Sequence, residues 1–315
     1  MLKKYFSKEN ICWIIFAAVI FTLITFLMNV GVIGSYYQIT LYNICINVIL
    51  AVSLNLIIGV CGQFSLGHAG FMCIGAYSAA IVVRSMSNLL GFALGVGIGI
   101  VISTIAALIV SIPTLRLRGD YLAIATLGFS EIIRIIVLNL KITNGAAGLS
   151  GIAKLTTWPL LFVLMVASIV IVTNFSRSRQ GRACISIRED EIASEAMGIN
   201  TTRYKTTAFV IGAALASVAG ALYACNFYVI KPDLFTFNKS IDILVMVVFG
   251  GMGSMTGSVI AAAFIGVLNM LLQNFSSIRM VIYGVVLVAI MIFVVTDLEL
   301  PKHYVLAKQQ SLPRA

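Results

Sequence analysis

Long apolar runs, broken by short polar segments, set the pattern of the chain. A helix needs roughly 20 apolar residues to cross about 30 Å of hydrocarbon. Runs of that kind lie near 11–30, 39–58, 62–83, 91–113, 120–138, 157–174 and 206–228. Residues 236–273 are too long for one span and are interrupted by Gly250, Gly251, Gly253 and Gly257. Glycines packed so densely weaken a helix, so this stretch predicts two shorter helices joined by a turn at the break. A last run near 279–296 brings the expectation to about ten transmembrane helices. The longest polar interruption, about 176–205, has room for only one or two short helices. The pattern is that of an all-α polytopic membrane protein, a single transmembrane domain over 1–315 with no soluble domain.

Composition narrows the function classes. Hydrophobic residues make up 60% of the 315 and charged residues only 10%, whereas a soluble surface requires about 25% charged residues. A soluble enzyme, a disordered chain and a nucleic-acid-binding domain are excluded together. The net charge of +10 does not restore nucleic acid as a partner, because no basic stretch is interleaved with aromatics. The basic residues concentrate instead in 1–10, 114–119, 175–205 and 298–315, which the positive-inside rule assigns to the cytoplasm. Ten spans put both termini there; nine would leave the basic C-terminal tail outside. Lys3, Lys4 and Lys8 ahead of the first run imitate a signal peptide. The length of that run and the lack of a small-residue cleavage pattern predict an uncleaved first span. Six cysteines without CxxC or His-rich spacing read as small buried hydrophobes, and neither a disulfide framework nor a metal site is expected.

Three segments depart from plain membrane helix. Residues 59–70 place four glycines beside Gln63, Ser65 and His68 at the border of two spans. They fit either a broken helix lining a translocation path or a tight turn packed through small residues, with His68 a hydrogen-bonded structural residue. Glu131 and Arg134 lie within a span at i,i+3 spacing, so they share a helix face and can pair. An unpaired charge at membrane depth costs at least about 2.5 kcal/mol, so both should face protein or water, as path lining, a subunit contact or a structural ion pair. The third segment runs from Arg182 to Asn200. A helical projection gathers Ile185, Ile192, Ala193 and Ala196 on one face and Arg188, Glu191 and Glu195 opposite, with Glu189 at the edge of the stripe and Gly198 as a stop signal. Anionic headgroups would repel this acidic face, whereas helices that lie on lipid favour Lys and Arg there. A protein partner is the better reading.

Taken together, these segments resemble the permease subunits of ATP-binding-cassette importers for branched-chain amino acids, the LivM-type subunit in particular. The resemblance is carried by SLGHAGF at 65–71, RLRGDYLAIATLGFSEIIR at 116–134, IREDEIASEAMGIN at 187–200 and VVFGGMGSMTG at 247–257. It implies a multi-pass protein of the cell membrane with a cobalamin-permease-like importer fold, a LivH-like second permease, two ATPase subunits and an extracytoplasmic amino-acid-binding protein. It implies that the coupling loop docks on the ATPase through Arg182, Arg188, Glu189, Glu191, Glu195, Ala196 and Gly198. Glu195-Ala196-Met197-Gly198 departs from the commoner Glu-Ala-Ala order. Gln63, Ser65, His68, Glu131 and Arg134 are the candidates for the translocation path. The chain has no GxxxxGK[ST] sequence, so it is expected to be no enzyme and to need no cofactor, with ATP hydrolysis left to partner subunits. Alternatives are a related importer for a sugar, nucleoside or urea, and an ion-coupled secondary transporter. The latter would rely on Glu131 as its one intramembrane acid, with Arg134 beside it. A channel is disfavoured by the lack of a filter or charge ring.

Overall fold

The computed structural model describes residues 34–114 and 119–271, with scattered positions in 19–31 and 284–288. Most of the expected last span and half of the first therefore lie outside the described residues, as do Arg116 and Arg118. The helices are α1 (Ser35–Asn55), α2 (His68–Ser85), α3 (Leu89–Thr114), α4 (Asp120–Asn139), α5 (Trp158–Arg177), α6 (Arg179–Glu189), α7 (Glu191–Ala196), α8 (Thr201–Ala224), α9 (Phe237–Phe249) and α10 (Met255–Leu271). A π-helical turn, Leu56–Val60, extends α1. Five helices among the described residues are long and apolar enough to cross a membrane: Tyr36–Val60, Leu89–Thr114, Tyr121–Asn139, Trp158–Arg177 and Thr201–Ala224.

Helix α1 is the axis of the bundle. In the most apolar stretch of its span 83% of the residues are buried, against 28% for α3. Helix α1 is thus enclosed by protein over most of its length, while α3 turns Leu94, Ile98, Val101, Ile105 and Ile109 outward. Helices α2, α3 and α8 pack against one another most extensively, and small residues let them do so. A Cβ on Gly75 would collide with the Ser217 carbonyl, and one on Gly220 with the Met72 carbonyl. A Cβ on Gly95 would lie 2.8 Å from the Ala79 Cα. Across the same contact the Ser103 hydroxyl donates to the Ala213 carbonyl oxygen at 3.0 Å. Between apolar helices in lipid there is little hydrophobic gain from association, so close van der Waals contact and such hydrogen bonds hold the bundle.

Two expected spans are shifted. The run at 62–83 becomes an irregular stretch, 61–67, followed by a helix that begins only at His68. The run at 206–228 becomes Thr201–Ala224, because Asn200 caps the helix by accepting from the Arg203 amide at 3.0 Å. Beyond Ala224 the chain leaves the helix to form β2 (Val229–Ile230), which pairs antiparallel with β1 (Leu149–Ser150). The Thr156 hydroxyl fastens this ribbon to α8 by donating to the Leu222 carbonyl at 3.0 Å. The stretch 236–273 divides, α9 and α10 being joined by a turn at Gly250 to Ser254. Gly257, however, lies in the first turn of α10 rather than in the break, its amide donating to Ser254 Oγ at 3.1 Å.

Replacing Gly75 by Val forces side-chain atoms into the α8 backbone and should cost about 1–3 kcal/mol of stability. The expected outcome is a lower thermal midpoint of the detergent-solubilised protein and a smaller monodisperse fraction on gel filtration. A midpoint equal to wild type would refute the α2–α8 contact.

Candidate functional site

Two of the segments that depart from plain helix, 59–70 and 182–200, meet the glycine turn at 250–254 at one end of the bundle. Asn55, fully buried at the end of α1, uses both halves of its amide. Its Oδ1 accepts from the Gly253 amide at 2.8 Å, and its Nδ2 donates to the Ser254 carbonyl at 3.0 Å. One side chain thus pins the turn between α9 and α10 to the end of α1. Gly59 lies in the π-helical turn directly beneath, where a Cβ would strike the Asn55 amide and the Gly253 backbone. Gly253 has φ +92, a left-handed conformation that glycine adopts without penalty.

Arg188, at the end of α6, closes the junction. Its Nη1 donates to the Gly59 carbonyl at 2.6 Å, an oxygen that the irregular turn would otherwise leave short of a partner. Its aliphatic stem lies where a Cβ on Gly62 would be 2.7 Å from Cγ, and Gly62 has φ +70. The guanidinium is held in place by Glu189, whose Oε1 lies 2.5 Å from Nη2. Cys184, one turn before Arg188, is buried beside the same junction, its thiol donating to the Tyr204 carbonyl at 3.7 Å. Arg188 therefore points into the membrane domain, whereas the sequence pattern grouped it with the outward polar face.

The segment 176–205 also differs from its expected form. Helix α6 ends at Glu189, Asp190 turns extended at φ −153 and ψ 111, and α7 starts afresh with the Asp190 carboxylate accepting from the Ala193 amide at 3.0 Å. The single apolar stripe of Ile185, Ile192, Ala193 and Ala196 is thereby broken. Gly181, Cys184, Ile187 and Ser194 are buried instead, while Ile192 and Met197 are 69% and 82% exposed. The elbow is braced from behind. Ser186 and Ser194 share a 2.8 Å hydrogen bond, the Lys205 Nζ meets the Glu191 Oε1 at 2.5 Å, and the Thr201 hydroxyl donates to the Glu195 Oε1 at 2.8 Å. Gly198, at φ +82, ends α7 while the Ile199 amide reaches back to the Ser194 carbonyl, a closure that needs the left-handed residue. Arg182 is apart from this cluster; its Nη1 caps the Arg177 carbonyl at 2.9 Å.

The path candidates fall into two groups. Gln63, Ser65 and His68 are all buried. His68 Nε2 shares a 2.7 Å hydrogen bond with the Ser53 hydroxyl of α1, Ser65 Oγ accepts from the Gly67 amide at 3.4 Å, and the Gln63 amide has no hydrogen bond among the described residues. Glu131 and Arg134 pair as their spacing predicts, Nε to Oε2 at 2.7 Å, and remain about a quarter exposed on α4. Arg134 Nη1 also comes within 3.8 Å of the Asp233 carboxylate. The opposite side of α4 packs on the break, where the Leu66 amide donates to the Thr126 hydroxyl at 3.1 Å.

Four polar positions among the membrane helices escaped the sequence pattern. Asn47 and Asn55 are single polar residues in an apolar run, and that polarity was their signal. Lys239 lies in the first turn of α9 with its Nζ donating to the Asn47 Oδ1 at 3.0 Å. Asp242, one turn further, is an acidic residue within α9, which is apolar beyond it.

The buried axis, apolar exposed helices and irregular backbone satisfied only by protein define a multi-pass helical membrane protein. A family model described as the permease component of branched-chain amino acid transport systems matches residues 36–295. The chain belongs to that family. The LivM permease protein of the high-affinity branched-chain amino acid transport system of Salmonella typhimurium is 36% identical over 79% of this chain and 66% of its own length. The chain thus matches just under two thirds of the length of that relative. The LivH permease protein of Escherichia coli is 35% identical over 38% of each chain. Among solved structures, PsaBC from Streptococcus pneumoniae in complex with Fab aligns with 86% of this chain and 94% of its own at a TM-score of 0.46 and 14% identity.

Replacing Asn55 by Ala leaves the Gly253 amide and the Ser254 carbonyl unpaired. At about 1–3 kcal/mol for each buried orphan group, the thermal midpoint should fall clearly. Asn55→Gln, with a longer arm, should restore less than half of the loss. An unchanged midpoint for Asn55→Ala would show that the turn is held by something else.

Proposed function

We propose that this chain is the transmembrane permease subunit of an ATP-driven importer for branched-chain amino acids. The carrying observation is the braced elbow at α6–α7, anchored to the membrane helices by Arg188 yet presenting unpartnered apolar side chains. Ile192 and Met197 stand out from a surface with Glu189, Asp190 and Glu195 around them, a combination suited to a groove on a protein and unsuited to anionic lipid. In this reading two ATPase subunits receive the elbow of this chain and that of a second, LivH-like permease. Partial identity to both LivM and LivH relatives supports a pair built from related halves. An extracytoplasmic binding protein would deliver leucine, isoleucine or valine at the β1–β2 end. The fold would complete to ten spans of the cobalamin-permease kind, with both termini in the cytoplasm.

The mechanism follows from the junction. ATP binding draws the ATPases together, and the elbow moves with the groove that holds it. Arg188 fastens α6 to Gly59 and packs on Gly253, so the motion passes to the break at 59–67 and to the α9–α10 turn rather than being lost in a loop. Those two irregular segments are where the membrane helices can change direction without rupturing a regular hydrogen-bond ladder. The permease then alternates between outward- and inward-facing states.

Ile192→Asp combined with Met197→Asp should leave the chain in the membrane and reduce ATPase recovered with it by about tenfold or more, as for loss of a central apolar anchor. ATP-dependent uptake of labelled leucine should fall in parallel. Full ATPase recovery with the double variant would remove the docking assignment.

A further inference from the structure

An intramembrane lysine is costly wherever it is not used, and Lys239 is placed deep. Its partner Asn47 is the twelfth of the 25 residues of the Tyr36–Val60 span, near the middle of the bilayer. Helix α9 explains how a lysine gets there. With 13 residues it is about 20 Å long, too short to cross about 30 Å of hydrocarbon. Its far end is tied to Asn55 through the glycine turn, so its N-terminus lies inside the membrane. A second helix begins nearby. Helix α2 starts at His68, and its Ala69 amide donates to the hydroxyl of Ser240, the neighbour of Lys239, at 3.2 Å. The N-terminal turn of α9 and the ammonium it carries both favour an anion, while the α2 N-terminus is closed against Ser240. Asp242, one turn along α9, is close enough to act on Lys239 electrostatically. Asn47, Lys239 and Asp242 are only partly buried, and charged groups at this depth face an aqueous path or protein rather than lipid.

We infer that Lys239, Asn47 and Asp242 form an intramembrane station for the zwitterionic head of the transported amino acid, with Lys239 and Asn47 receiving the α-carboxylate and Asp242 the α-ammonium. The inference rests on the permease reading and adds where the substrate is held within the membrane. Paired opposite charges on one helix face suit a zwitterion, which would otherwise leave both of its charges unsolvated halfway across. The side chain of leucine or valine needs only the apolar surroundings. The site thus recognises an α-amino acid as a class and leaves discrimination among side chains to other parts of the system. The contact is brief by design, since a tight site at mid-path would retain the substrate.

The test uses the assembled complex in proteoliposomes with its binding protein. Lys239→Gln should cut ATP-dependent leucine uptake by about tenfold or more, the scale of a hydrogen bond to a charged group. Recovery of partner subunits and ATP hydrolysis stimulated by the loaded binding protein should stay within about twofold of wild type. Lys239→Arg should retain most uptake. Wild-type uptake by Lys239→Gln would overturn the station, and so would loss of assembly and ATPase together with uptake, which would make Lys239 a structural residue. A second measurement does not depend on any variant: a diazirine-bearing leucine analogue, activated by light during turnover, should label peptides 41–50 or 237–249 of the native chain. Labelling confined to other segments would also overturn it. If native complexes show no ATP-dependent leucine uptake at all, the failure belongs to the permease reading instead.

Discussion

A backbone that leaves regular helix inside a membrane must find every hydrogen-bond partner within the protein, because lipid offers none. Much of this structure answers that constraint at one place. The π-helical turn of Leu56–Val60 and the glycine turn after α9 both expose peptide groups at the same level. Asn55 and Arg188 satisfy them with one amide and one guanidinium. The solution has a mechanical consequence. Arg188 belongs to the polar segment outside the bundle, so the group that completes the membrane domain's hydrogen bonding is also the one that attaches the elbow to it. Moving α6 without moving Gly59 would strand a buried carbonyl, at about 1–3 kcal/mol. The glycines are required by the same crowding, since a Cβ at Gly59 or Gly62 would occupy the space of Asn55 or Arg188.

Around this junction the bundle is stiff where it is close-packed and adaptable where it is irregular. Helices α2, α3 and α8 approach to backbone contact through Gly75, Gly95 and Gly220, leaving little room for relative sliding. Helix α4 is joined to the break through Thr126 and Leu66, and it carries Glu131 and Arg134 on its less buried side. The ion pair is thus placed beside the segment that can rearrange, and Arg134 reaches across toward Asp233 on the turn before α9. Both short helices that begin inside the membrane, α2 and α9, are next to this charged group and to each other.

Much of the fold was legible from the sequence for a simple reason: in a membrane the apolar run is the helix. Spans such as 91–113 and 157–174 fall within a few residues of α3 and α5, and Gly250, Gly251 and Gly253 do separate two short helices, although Gly257 joins the second of them. Boundaries failed where polar contacts decided them. Residues 61–67 are apolar enough to read as helix, yet Gly62 and the contacts of Leu66 and Gly67 draw them out of it. The amphipathic reading of 183–200 failed at Asp190, whose capping carboxylate starts a new helix and rotates Ile192 into solvent. A helical projection assumes one axis and cannot register such a turn. Arg188, a cation in a polar segment, was grouped with the outward face, and Lys239, near the start of an apolar stretch, carried no signal of a partner. Each is instead turned toward an oxygen on α1 or its π-helical extension, more than a hundred residues away in sequence. The Glu131–Arg134 pair, whose partners share one helix, was readable directly.

The central position of α1 gives these contacts a common frame. Asn55 and Asn47 are eight residues apart on one buried, unbroken helix, a rise of about 12 Å, and Gly59 lies on the π-helical turn that continues it. Asn55 holds the end of the α9–α10 turn, and Asn47 meets Lys239 at the other end of α9. Helix α9 is therefore fixed to α1 at both of its ends, by an amide at the turn and by an ammonium in the membrane interior. A displacement delivered at Gly59 and Gly253 by way of Arg188 bears on that turn, and a 13-residue helix is too short to absorb it by bending. The response left to α9 is to tilt about its contacts with α1, which shifts Lys239 relative to Asn47 and Ala69 relative to Ser240. Of these contacts the neutral Ala69–Ser240 bond at 3.2 Å is the weakest, because the Lys239–Asn47 bond is charge-assisted and Asn55 holds the turn through two bonds.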